Sequence, residues 1–394
     1  MNNTENSIIN NCDGMAVTNV KLKNVRNYTD LDIRVSKGMN VFYGENAQGK
    51  TNFLESICFC AVGRSPRTSS DKDIIQFGEE AAHIRVDVEK TFDSGGTEKI
   101  RRDKIDVHIK RDAPKGMAIN GLPAKKLSEL FDVLLTVVFT PEDLSLVKAG
   151  PAERRRFVDM ELCRISPVYY QELQQYHRVL KQRNILLKDI LKNRELKQTI
   201  FVWDEQLAVH GSKIIKQRRD FIKQLSELSA RLYAGIIEKN YGEKEFLEII
   251  YKPNVSESEF FSKLTKNIDR DIMLGSTQTG AHKDEILFFI GGADVRYYGS
   301  QGQKRTASLC AKLVEIDLIR EEKRMNPVLL LDDVFSELDE KRQQKLSEKI
   351  TGAQTILTCT GAEEVVNRLL NKEIGKDNGN IAKYKVEKGS ISLN

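Results

Sequence analysis

The chain has 394 residues and a mass of 44.9 kDa, enough for two or three domains, and its 40% hydrophobic and 30% charged residues are typical of folded protein. The mean hydropathy is -0.43 and no apolar run approaches the ~18–20 residues that cross a bilayer, so we expect no integral membrane protein. The 62 basic and 57 acidic residues give a net charge of +5, which permits nucleic acid as a partner without arguing for it.

The cysteines and the first residues bear on the compartment. Six cysteines in a chain of this length do not form a disulfide framework, and most of them lie in apolar stretches. Residues 1–14 are polar and rich in asparagine, without the basic and apolar segments of a signal peptide. We therefore expect reduced thiols, a cytoplasmic location and a frayed amino-terminal tail over residues 1–14.

The amino-terminal third is dominated by strand and loop signals. Val17–Leu22 and Leu31–Val35 alternate apolar and polar residues, as half-buried strands do. Met39–Tyr43 is a short apolar strand that runs into a glycine-rich loop, and Thr51–Cys60 then has an apolar, helical pattern. Further along, we expect a strand at 82–88, exposed hairpins at 93–121 and a buried strand at 134–139.

Long amphipathic helices replace this pattern from Pro151 onward. Apolar residues recur at helical spacing along 169–180 and again along 207–232, and the helical block ends near Leu274. Strand and helix signals resume at 286–290, 305–320, 328–331 and 355–358. The order predicts an α/β domain split by a helical insertion, with 15–150 and 275–394 in the α/β domain and 151–274 in the insertion.

The strongest motif lies between the third predicted strand and the following helix. Its residues fit G-x-x-x-x-G-K-[ST] in the strand–loop–helix setting that the motif requires: Gly44, Glu45, Asn46, Ala47, Gln48, Gly49, Lys50 and Thr51. The backbone N–H groups of such a loop, with the amino end of the helix, surround phosphate oxygens. Lys50 is predicted to contact the β- and γ-phosphates of ATP, and Thr51 to offer its hydroxyl to Mg²⁺.

A second motif supplies the carboxylate that a P-loop needs. Val328–Leu331 is a purely apolar strand, and Asp332 and Asp333 follow it directly. P-loop enzymes hold Mg²⁺ with a carboxylate at the end of a neighbouring strand. Asp332 is therefore predicted to bind the metal, and Asp333 to polarise the attacking water. Many buried strands end in aspartate, so the motif gains its weight from the P-loop.

Two further polar turns each admit two interpretations. Gly299–Gln303 precedes a predicted helix, where a hydroxyl, small residues and an amide form an anion site. One hypothesis is that this site caps the γ-phosphate held by a second subunit; the alternative is a simple helix cap at Ser300. Ser336–Asp339 directly follows the metal strand, and it either reaches across a nucleotide or starts a helix capped by Ser336.

Taken together, these motifs resemble the ABC-type ATPase head that is shared with SMC proteins. From about Met15 to Lys388 the chain more closely resembles the RecF family of bacterial recombination mediators. The stretches that carry this resemblance are Asn24–Tyr28, Gly44–Thr51, Gly63–Ser65, Phe139–Leu144, Pro151–Phe157 and Lys181–Asn184. One departure is that the family's Gly-Pro-His-Arg-Asp-Asp stretch reads Gly-Ala-His-Lys-Asp-Glu at 280–285, so the proline is missing.

The resemblance implies an ABC-type P-loop ATPase head interrupted by a helical insertion, with ATP and Mg²⁺ as cofactors. It implies a homodimer that closes around ATP on DNA during recombinational and replication-gap repair, helps to load a recombinase and works with RecR and RecO, away from membranes. The residues expected to contact ATP in trans are Ser300, Gly302, Gln303 and Asp339.

Slow hydrolysis is also expected. Lys50 and Asp333 are the candidate catalytic residues, and Asp333 stands where transporter heads usually have the longer glutamate. The switch histidine of transporter ATPases is also missing, since Thr358–Thr360 occupies its place, which leaves the γ-phosphate without that contact.

Several basic residues are candidates for ligand contact. Arg26 follows the first strand, and in related heads such an arginine contacts nucleotide; the alternative is a solvated surface arginine. The three arginines at 154–156 could contact DNA, but it is equally reasonable that they are solvated or paired with a carboxylate of the same chain. The basic helix at 213–223 could contact DNA, or it could be a polar outer face. The DNA candidates are Arg154, Arg155, Arg156, Lys213, Lys216 and Arg219.

Two other classes of ATPase head compete with the RecF-like interpretation. An SMC head needs hundreds of heptad residues between its halves, whereas the interval 151–274 is too short to supply a long coiled-coil arm. A transporter head lacks a helical insertion of this size and carries the switch histidine. In either alternative, the ATPase head would act on a partner other than DNA.

Overall fold

The computed structural model describes residues 13–68, 70–93, 97–237, 245–361 and 381–394. The chain divides into two compact units, the first made of residues 1–143 and 315–394 and the second of residues 144–314. Among the described residues, no helix is both long and apolar enough to cross a membrane.

The division departs from the predicted boundaries at the carboxyl end of the insertion. Residues 275–314, assigned to the head from the sequence, belong to the second unit. The reason is that Glu285–Ile290 pairs antiparallel with Leu247–Lys252, which follows the long helices. The predicted insertion is therefore present, but it extends well beyond Leu274.

The start of the chain is ordered sooner than expected. Residues 1–12 of the predicted tail lie outside the described residues. The tail prediction is wrong for Asp13 and Gly14, because the first strand begins at Gly14. The Asp13 amide also donates a hydrogen bond to the Arg324 carbonyl over 3.0 Å, which ties this segment to the carboxyl-terminal half of the first unit.

The first unit contains a six-stranded antiparallel sheet with the order β2-β1-β4-β5-β6-β7. Its strands are β1 (Gly14–Val25), β2 (Tyr28–Arg34), β4 (Ala81–Asp93), β5 (Glu98–Lys110), β6 (Gly116–Ile119) and β7 (Leu122–Pro123). The predicted hairpins around residues 93–121 are confirmed where the chain is described. Asn120 and Gly121 both take positive φ angles, 53° and 82°, as a tight β6–β7 turn requires.

A second six-stranded sheet in the same unit has the order β15-β14-β3-β13-β12-β8. Its strands are β3 (Met39–Tyr43), β8 (Thr136–Phe139), β12 (Val328–Asp332), β13 (Thr355–Cys359), β14 (Ala382–Glu387) and β15 (Ser390–Leu393). All pairs except β14–β15 are parallel, and β12 and β13 are almost wholly buried, as their apolar sequences predict. The carboxyl ends of β3, β13 and β12 therefore lie at one edge of the sheet.

The helices of the first unit are α1 (Lys50–Val62), α2 (Ser128–Phe131) and α10 (Glu340–Ile350). Helix α1 is buried along nearly its whole length and ends at Gly63, whose left-handed φ of 70° allows the chain to turn. Single 3₁₀ turns lie at Asp71–Ile74, Asp143–Ser145 and Phe335–Glu337; Asp143–Ser145 is at the junction of the two units.

The second unit is mainly helical. Its elements are α3 (Pro151–Ile165), α4 (Pro167–Ile190), α5 (Ile200–Ile236), β9 (Leu247–Lys252), α6 (Phe260–Lys266), α7 (Ile268–Leu274), β10 (Glu285–Ile290), β11 (Ala293–Asp294) and α8 (Val295–Tyr298), with 3₁₀ turns at Arg194–Thr199 and Ala281–Lys283. Helix α9 (Gln301–Lys323) begins in this unit and ends in the first. The predicted apolar stripes are buried or half-buried, and at Gly211 a Cβ would lie only 2.2 Å from the Phe260 ring, so α5 needs glycine there.

Buried ion pairs hold these helices in register. Arg183 on α4 is fully buried, and its Nε and Nη1 donate to Asp204 Oδ1 and Asp271 Oδ2 over 2.6 and 2.7 Å. Arg218 on α5 is also buried and contacts both Asp159 and Asp284. Removing one partner would leave an uncompensated buried charge, so these pairs define the packing of the helices closely.

Candidate nucleotide-binding site

The P-loop runs from the end of β3 to the start of α1. A Cβ at Gly44 would lie 2.3 Å from the Val386 carbonyl oxygen on the neighbouring strand β14. Gly49 has a φ of 120°, and a Cβ there would lie 2.5 Å from Asn27 Nδ2. Both positions therefore require glycine for space, and Gly49 also for its backbone conformation.

Two residues of the β1–β2 turn support the loop from one side. Asn27 Nδ2 donates to the Gln48 carbonyl over 2.8 Å, and the buried hydroxyl of Tyr28 donates to the Gly49 carbonyl over 3.0 Å. The amide of Gly389, in the β14–β15 turn, also donates to the Gln48 carbonyl, over 3.2 Å. Sequence analysis missed these contacts, although Asn27 and Tyr28 lie within a stretch that resembles the RecF family.

Lys50 is folded back over the loop. Its Nζ donates to the carbonyls of Gly44 and Glu45 over 2.6 and 2.8 Å. Burial lowers the pKa of Lys50, while the nearby carboxylates of Asp333 and Asp332 act in the opposite direction. The side chain is thus held in the loop by weak carbonyl acceptors, which a phosphate can replace.

The residues predicted to bind Mg²⁺ meet at the carboxyl edge of the parallel sheet. Thr51 Oγ1, on α1, donates to Asp332 Oδ1 over 2.9 Å, although 281 positions separate the two residues. Thr358, at the end of β13, donates its hydroxyl to the same oxygen over 2.7 Å. Burial raises the pKa of Asp332, and the two hydroxyl donors counteract this shift by stabilising the carboxylate.

Asp333 has a different environment from Asp332. Its φ is 52°, a left-handed conformation that is uncommon for a residue with a side chain. The Asp333 amide donates to Thr358 Oγ1 over 3.1 Å, and Ser336 donates its hydroxyl to the Asp333 carbonyl over 2.7 Å. This backbone turn gives Asp333 hydrogen-bond partners different from those of Asp332, although both residues are half-buried, and its role in water activation remains a prediction.

The donors present fit a magnesium-bound nucleotide. Thr51 and Asp332 provide a hydroxyl and a carboxylate oxygen, the hard ligands that Mg²⁺ prefers. Lys50 and the amino end of α1 provide the positive charge that phosphate oxygens need. The proposed roles of these residues remain predictions, but the fold brings them together.

Arg26 is hydrogen-bonded to residues of its own chain. Its guanidinium donates through Nε and Nη2 to the two carboxylate oxygens of Glu55 over 3.0 and 2.9 Å, and through Nη1 to the Asp73 carbonyl over 2.6 Å. Glu55 is buried and also accepts a hydrogen bond from the Ser65 hydroxyl. Arg26 therefore joins the β1–β2 turn to α1, and nucleotide contact by Arg26 remains a prediction.

The turn at Ser300 forms a reciprocal helix cap. The Gln303 amide donates to Ser300 Oγ over 3.2 Å, and the Ser300 amide donates to Gln303 Oε1 over 2.8 Å. Gln303 also donates through Nε2 to Glu245 over 2.8 Å. Asp339 likewise caps α10, with its Oδ1 accepting from the Arg342 amide over 3.0 Å. The capping interpretation is confirmed for Ser300 and not for Ser336. Because a capping residue can also contact a ligand, the prediction that these residues contact the ATP of a second subunit remains untested.

The basic DNA candidates divide into buried and exposed residues. Arg154 is 2% exposed and its guanidinium is paired with Glu285, so the prediction that it contacts DNA is wrong and the alternative of a carboxylate partner holds. Arg155 Nη1 donates to the Asp284 carbonyl over 2.6 Å, while Arg156 is exposed. The remaining candidates, Lys213, Lys216 and Arg219, lie on α5 and are exposed. Lys213 forms an ion pair with Glu172, and Arg219 forms one with Glu257.

Known proteins are similar in sequence to nearly the whole chain. A family model described as RecF/RecN/SMC N terminal domain matches residues 16–375. The DNA replication and repair protein RecF of Lachnoclostridium phytofermentans is 48% identical over 363 residues, which cover 91% of this chain and 96% of that protein. The protein of the same name from Agathobacter rectalis is 45% identical over 352 residues, covering 89% and 94%.

Solved structures agree with this similarity. The recombination mediator protein RecF with ATP, from the RecFOR pathway, superposes with a TM-score of 0.86 at 33% identity, covering 97% of this chain and 98% of that chain. An Smc head domain from Pyrococcus furiosus has a TM-score of 0.51 at 16% identity, covering 96% of each chain. At that identity the second likeness concerns the fold alone.

Proposed function

The chain belongs to the RecF family, and from that premise we propose that it is a DNA-binding protein of recombinational and replication-gap repair whose binding is switched by ATP. Two copies close around ATP to form a clamp on DNA, and the clamp helps to load a recombinase. The observation that carries the proposal is the junction of Thr51, Asp332 and Thr358 beside the P-loop, which gives this chain the parts of an ATP site.

Nucleotide binding replaces the internal contacts of Lys50. Its Nζ exchanges the carbonyls of Gly44 and Glu45 for the β- and γ-phosphates, while the loop amides surround the phosphate oxygens. When bound, Mg²⁺ neutralises charge on the transferred phosphoryl group, and Thr51 and Asp332 are the residues that would hold it. Thr358 keeps the Asp332 carboxylate in position.

Hydrolysis is slow and acts as a timer. Asp333 orients the attacking water, but its side chain is one methylene shorter than the glutamate usual in transporter heads. Thr358 and Cys359 end β13 where those heads continue to a switch histidine, so one γ-phosphate contact is missing. Fewer groups that stabilise the transition state mean a smaller rate enhancement, which suits a clamp that must persist on DNA.

The dimer provides the remaining phosphate contacts. Ser300, Gly302 and Gln303 lie at the amino end of the 23-residue helix α9, where backbone N–H groups and the helix dipole favour an anion. We assign them to the γ-phosphate of the ATP held by the partner subunit, and we assign Asp339 to the same nucleotide. Hydrolysis removes that phosphate and lets the two subunits separate.

DNA binding relies on phosphate contacts. The exposed basic residues Arg156, Lys216, Lys213 and Arg219 are candidates, while Arg154 is not. Each subunit offers few such groups, so pairing two subunits raises the avidity. RecR and RecO are the proposed protein partners, because the solved relative is described as part of the RecFOR pathway.

The test is a fluorescence-anisotropy titration of single-stranded, duplex and gapped DNA of two unrelated sequences, at several salt concentrations, with ATP or ADP. We expect ATP to tighten binding and salt to weaken it, with a log–log slope of roughly -0.7 to -0.9 per phosphate contact. The matched variant Lys50→Ala should lose roughly 10- to 100-fold in ATP affinity and lose the ATP effect, but keep its ATP-free DNA binding.

Binding that ignores both salt and nucleotide, or that strongly prefers one sequence, would contradict the clamp. Lys50→Ala protein that is folded and still responds to ATP would contradict the nucleotide site itself. The two failures are distinct, because the first concerns DNA and the second concerns the P-loop.

A further inference from the structure

A cluster of two histidines and one aspartate lies on the polar face of the antiparallel sheet, outside the proposed nucleotide site. His83 on β4 is directly opposite His108 on β5, and Asp106 precedes His108 by two positions on the same strand. Side chains alternate along a strand, so these three residues share one face. Their neighbours Ile84 and Val107 are fully buried on the other face, which fixes this orientation.

The three side chains are already close together. The imidazole rings of His83 and His108 are parallel, with centroids 4.2 Å apart, and His83 Nε2 lies 2.9 Å from Asp106 Oδ1. One ligand atom from each residue lies within 4.8 Å of the others. Donors around a tetrahedral zinc ion are roughly 3.3–3.5 Å apart for bonds of about 2.0–2.2 Å. Binding therefore requires the imidazoles to rotate about their broad χ2 torsions so that the donors come closer together.

The chemistry of the donors selects the type of metal ion. Two imidazoles and a carboxylate suit Zn²⁺ and neighbouring transition metals, whereas the all-oxygen Thr51–Asp332 pair suits Mg²⁺. Asp106 is buried, so its carboxylate has a defined position.

The surrounding charges also matter. Arg85 Nε donates to Asp106 Oδ1 over 2.7 Å, and Lys110 is exposed on the same face. These positive charges oppose a cation held by electrostatics alone, so binding depends on the imidazole nitrogens. The Arg85 contact orients the carboxylate as an outer-shell hydrogen bond does in metal sites.

We propose that His83, Asp106 and His108 form a site for a divalent transition-metal ion such as Zn²⁺, with water completing the coordination. The ion cross-links β4 to β5 on the polar face of the sheet. Because both strands are 13 residues long and pair along their whole length, such a link restrains the largest hairpin of the first unit.

The test uses the full chain after chelator treatment, in buffer containing excess Mg²⁺ so that oxygen sites do not report. Zinc binding is measured by isothermal titration calorimetry, and Co²⁺ is used as a spectroscopic probe of the ligands. We expect about one Zn²⁺ per chain and a Co²⁺ spectrum of nitrogen and oxygen ligands. His83→Asn and the exposed His108→Asn should each abolish this binding, with folding checked by circular dichroism.

His210→Asn is the matched control, because His210 pairs with a single carboxylate, Glu172, and offers no second imidazole. It should bind Zn²⁺ as the natural chain does. Hydrogen exchange should slow in β4 and β5 when Zn²⁺ is added, and only in chains that retain both cluster histidines. The proposal is overturned by an absence of binding to the natural chain, by His83 and His108 variants that bind Zn²⁺ as tightly as the natural chain, or by a thiolate-to-cobalt charge-transfer band, which would assign the ion to cysteines.

Discussion

Asp332 and Asp333 are adjacent in sequence, yet the backbone turn at Asp333 gives them separate surroundings. Asp332 is hydrogen-bonded to Thr51 and Thr358 at the sheet edge. Asp333 has a positive φ and is held by backbone contacts to Thr358 and Ser336. A left-handed conformation at a non-glycine residue costs about 1 kcal/mol, and such strain is often found where a side chain must be aimed.

Substitution of Asp332 and substitution of Asp333 should therefore impair different steps. Asp332→Asn removes a charged metal ligand, so Mg²⁺-dependent ATP binding should weaken by roughly tenfold or more. Asp333→Asn should bind ATP normally, hydrolyse it roughly 10²- to 10⁴-fold more slowly and accumulate as the dimer. Nucleotide titrations and single-turnover hydrolysis separate the two effects. Equal loss of ATP binding in both variants would show that the roles are not divided.

Thr358 is a positioning residue that the sequence did not single out for this role. It is 2% exposed and its hydroxyl both donates to Asp332 and accepts from the Asp333 amide. Thr358→Val keeps the shape but removes both bonds, so the Mg²⁺ concentration for half-maximal ATP binding should rise roughly tenfold. Thr358→Ser retains the hydroxyl and should restore the natural Mg²⁺ dependence. If the valine variant shows the natural Mg²⁺ dependence, Thr358 acts only in packing.

At this scale the sequence predicts residues whose role follows from a local motif. Lys50 and Thr51 are set by the P-loop spacing, and Asp332 by the end of an apolar strand. Asn27, Tyr28 and Thr358 act across the fold through hydrogen bonds to backbone or to another side chain. Such contacts depend on strand pairing between distant segments, and a single sequence carries no spacing rule for them. The burial of Arg154 could not be predicted either, because a run of arginines has the same sequence pattern whether its side chains are paired or solvated.

Among the elements, the helices and buried strands were the easiest to predict. Their apolar periodicity is strong, and most of the predicted stripe on α5 is buried. The boundary error came from β10, a short apolar strand whose sequence suits a head sheet as well as its actual partner β9. Periodicity identifies a strand but not its neighbour, so residues 275–314 could not be assigned correctly from their sequence.

The 3₁₀ turn at Ala281–Lys283 carries a pH-sensitive contact. His282 Nε2 lies 2.9 Å from the Thr277 carbonyl and must donate to it, so Nδ1, 2.7 Å from Tyr176 Oη, accepts from that hydroxyl. Burial lowers the pKa of His282 from 6.5 to about 4. The folded chain therefore holds this imidazole neutral, in one tautomer.

This contact should make the second unit less stable in acid. Between pH 6.5 and about 4 the unfolded state binds a proton that the folded state does not, so the free energy of unfolding should fall by about 3 kcal/mol as the pH drops through that window. His282→Gln should be less stable at neutral pH but lose this part of the pH dependence. Urea unfolding across the window measures it, with His210→Gln as control. The same slope in natural and His282→Gln chains would refute it.

For the whole molecule, the proposed dimer depends on the amino end of α9. Ser300→Arg adds a bulky cation where the partner's γ-phosphate is expected, so it should leave ATP binding by the monomer intact but block ATP-dependent dimerisation. Because the change also removes a cap worth about 1 kcal/mol, Ser300→Asp is a second variant that keeps the cap and repels phosphate.

Light scattering with ATP and Mg²⁺ provides the measurement. Ser262→Arg is the matched control, since it adds the same charge at an exposed serine of the second unit and should dimerise normally. Normal dimerisation of both Ser300 variants would remove the turn at Ser300 from the interface.

The first unit is built from two ends of the chain, and this has a consequence for its synthesis. Strand β3 (Met39–Tyr43) is flanked by β13 and β14, and the Val17 amide donates to Gln354 over 2.7 Å. A ribosome adding about 5–20 residues per second needs roughly 15–60 s to pass from Tyr43 to Cys359. Throughout that interval both edges of β3 lack their partner strands, while the second unit is continuous in sequence and ends at Val314, before β12 and β13 are synthesised. The ATP site is thus among the last parts of the nascent chain to form, and a chain released prematurely has no Asp332 to complete it.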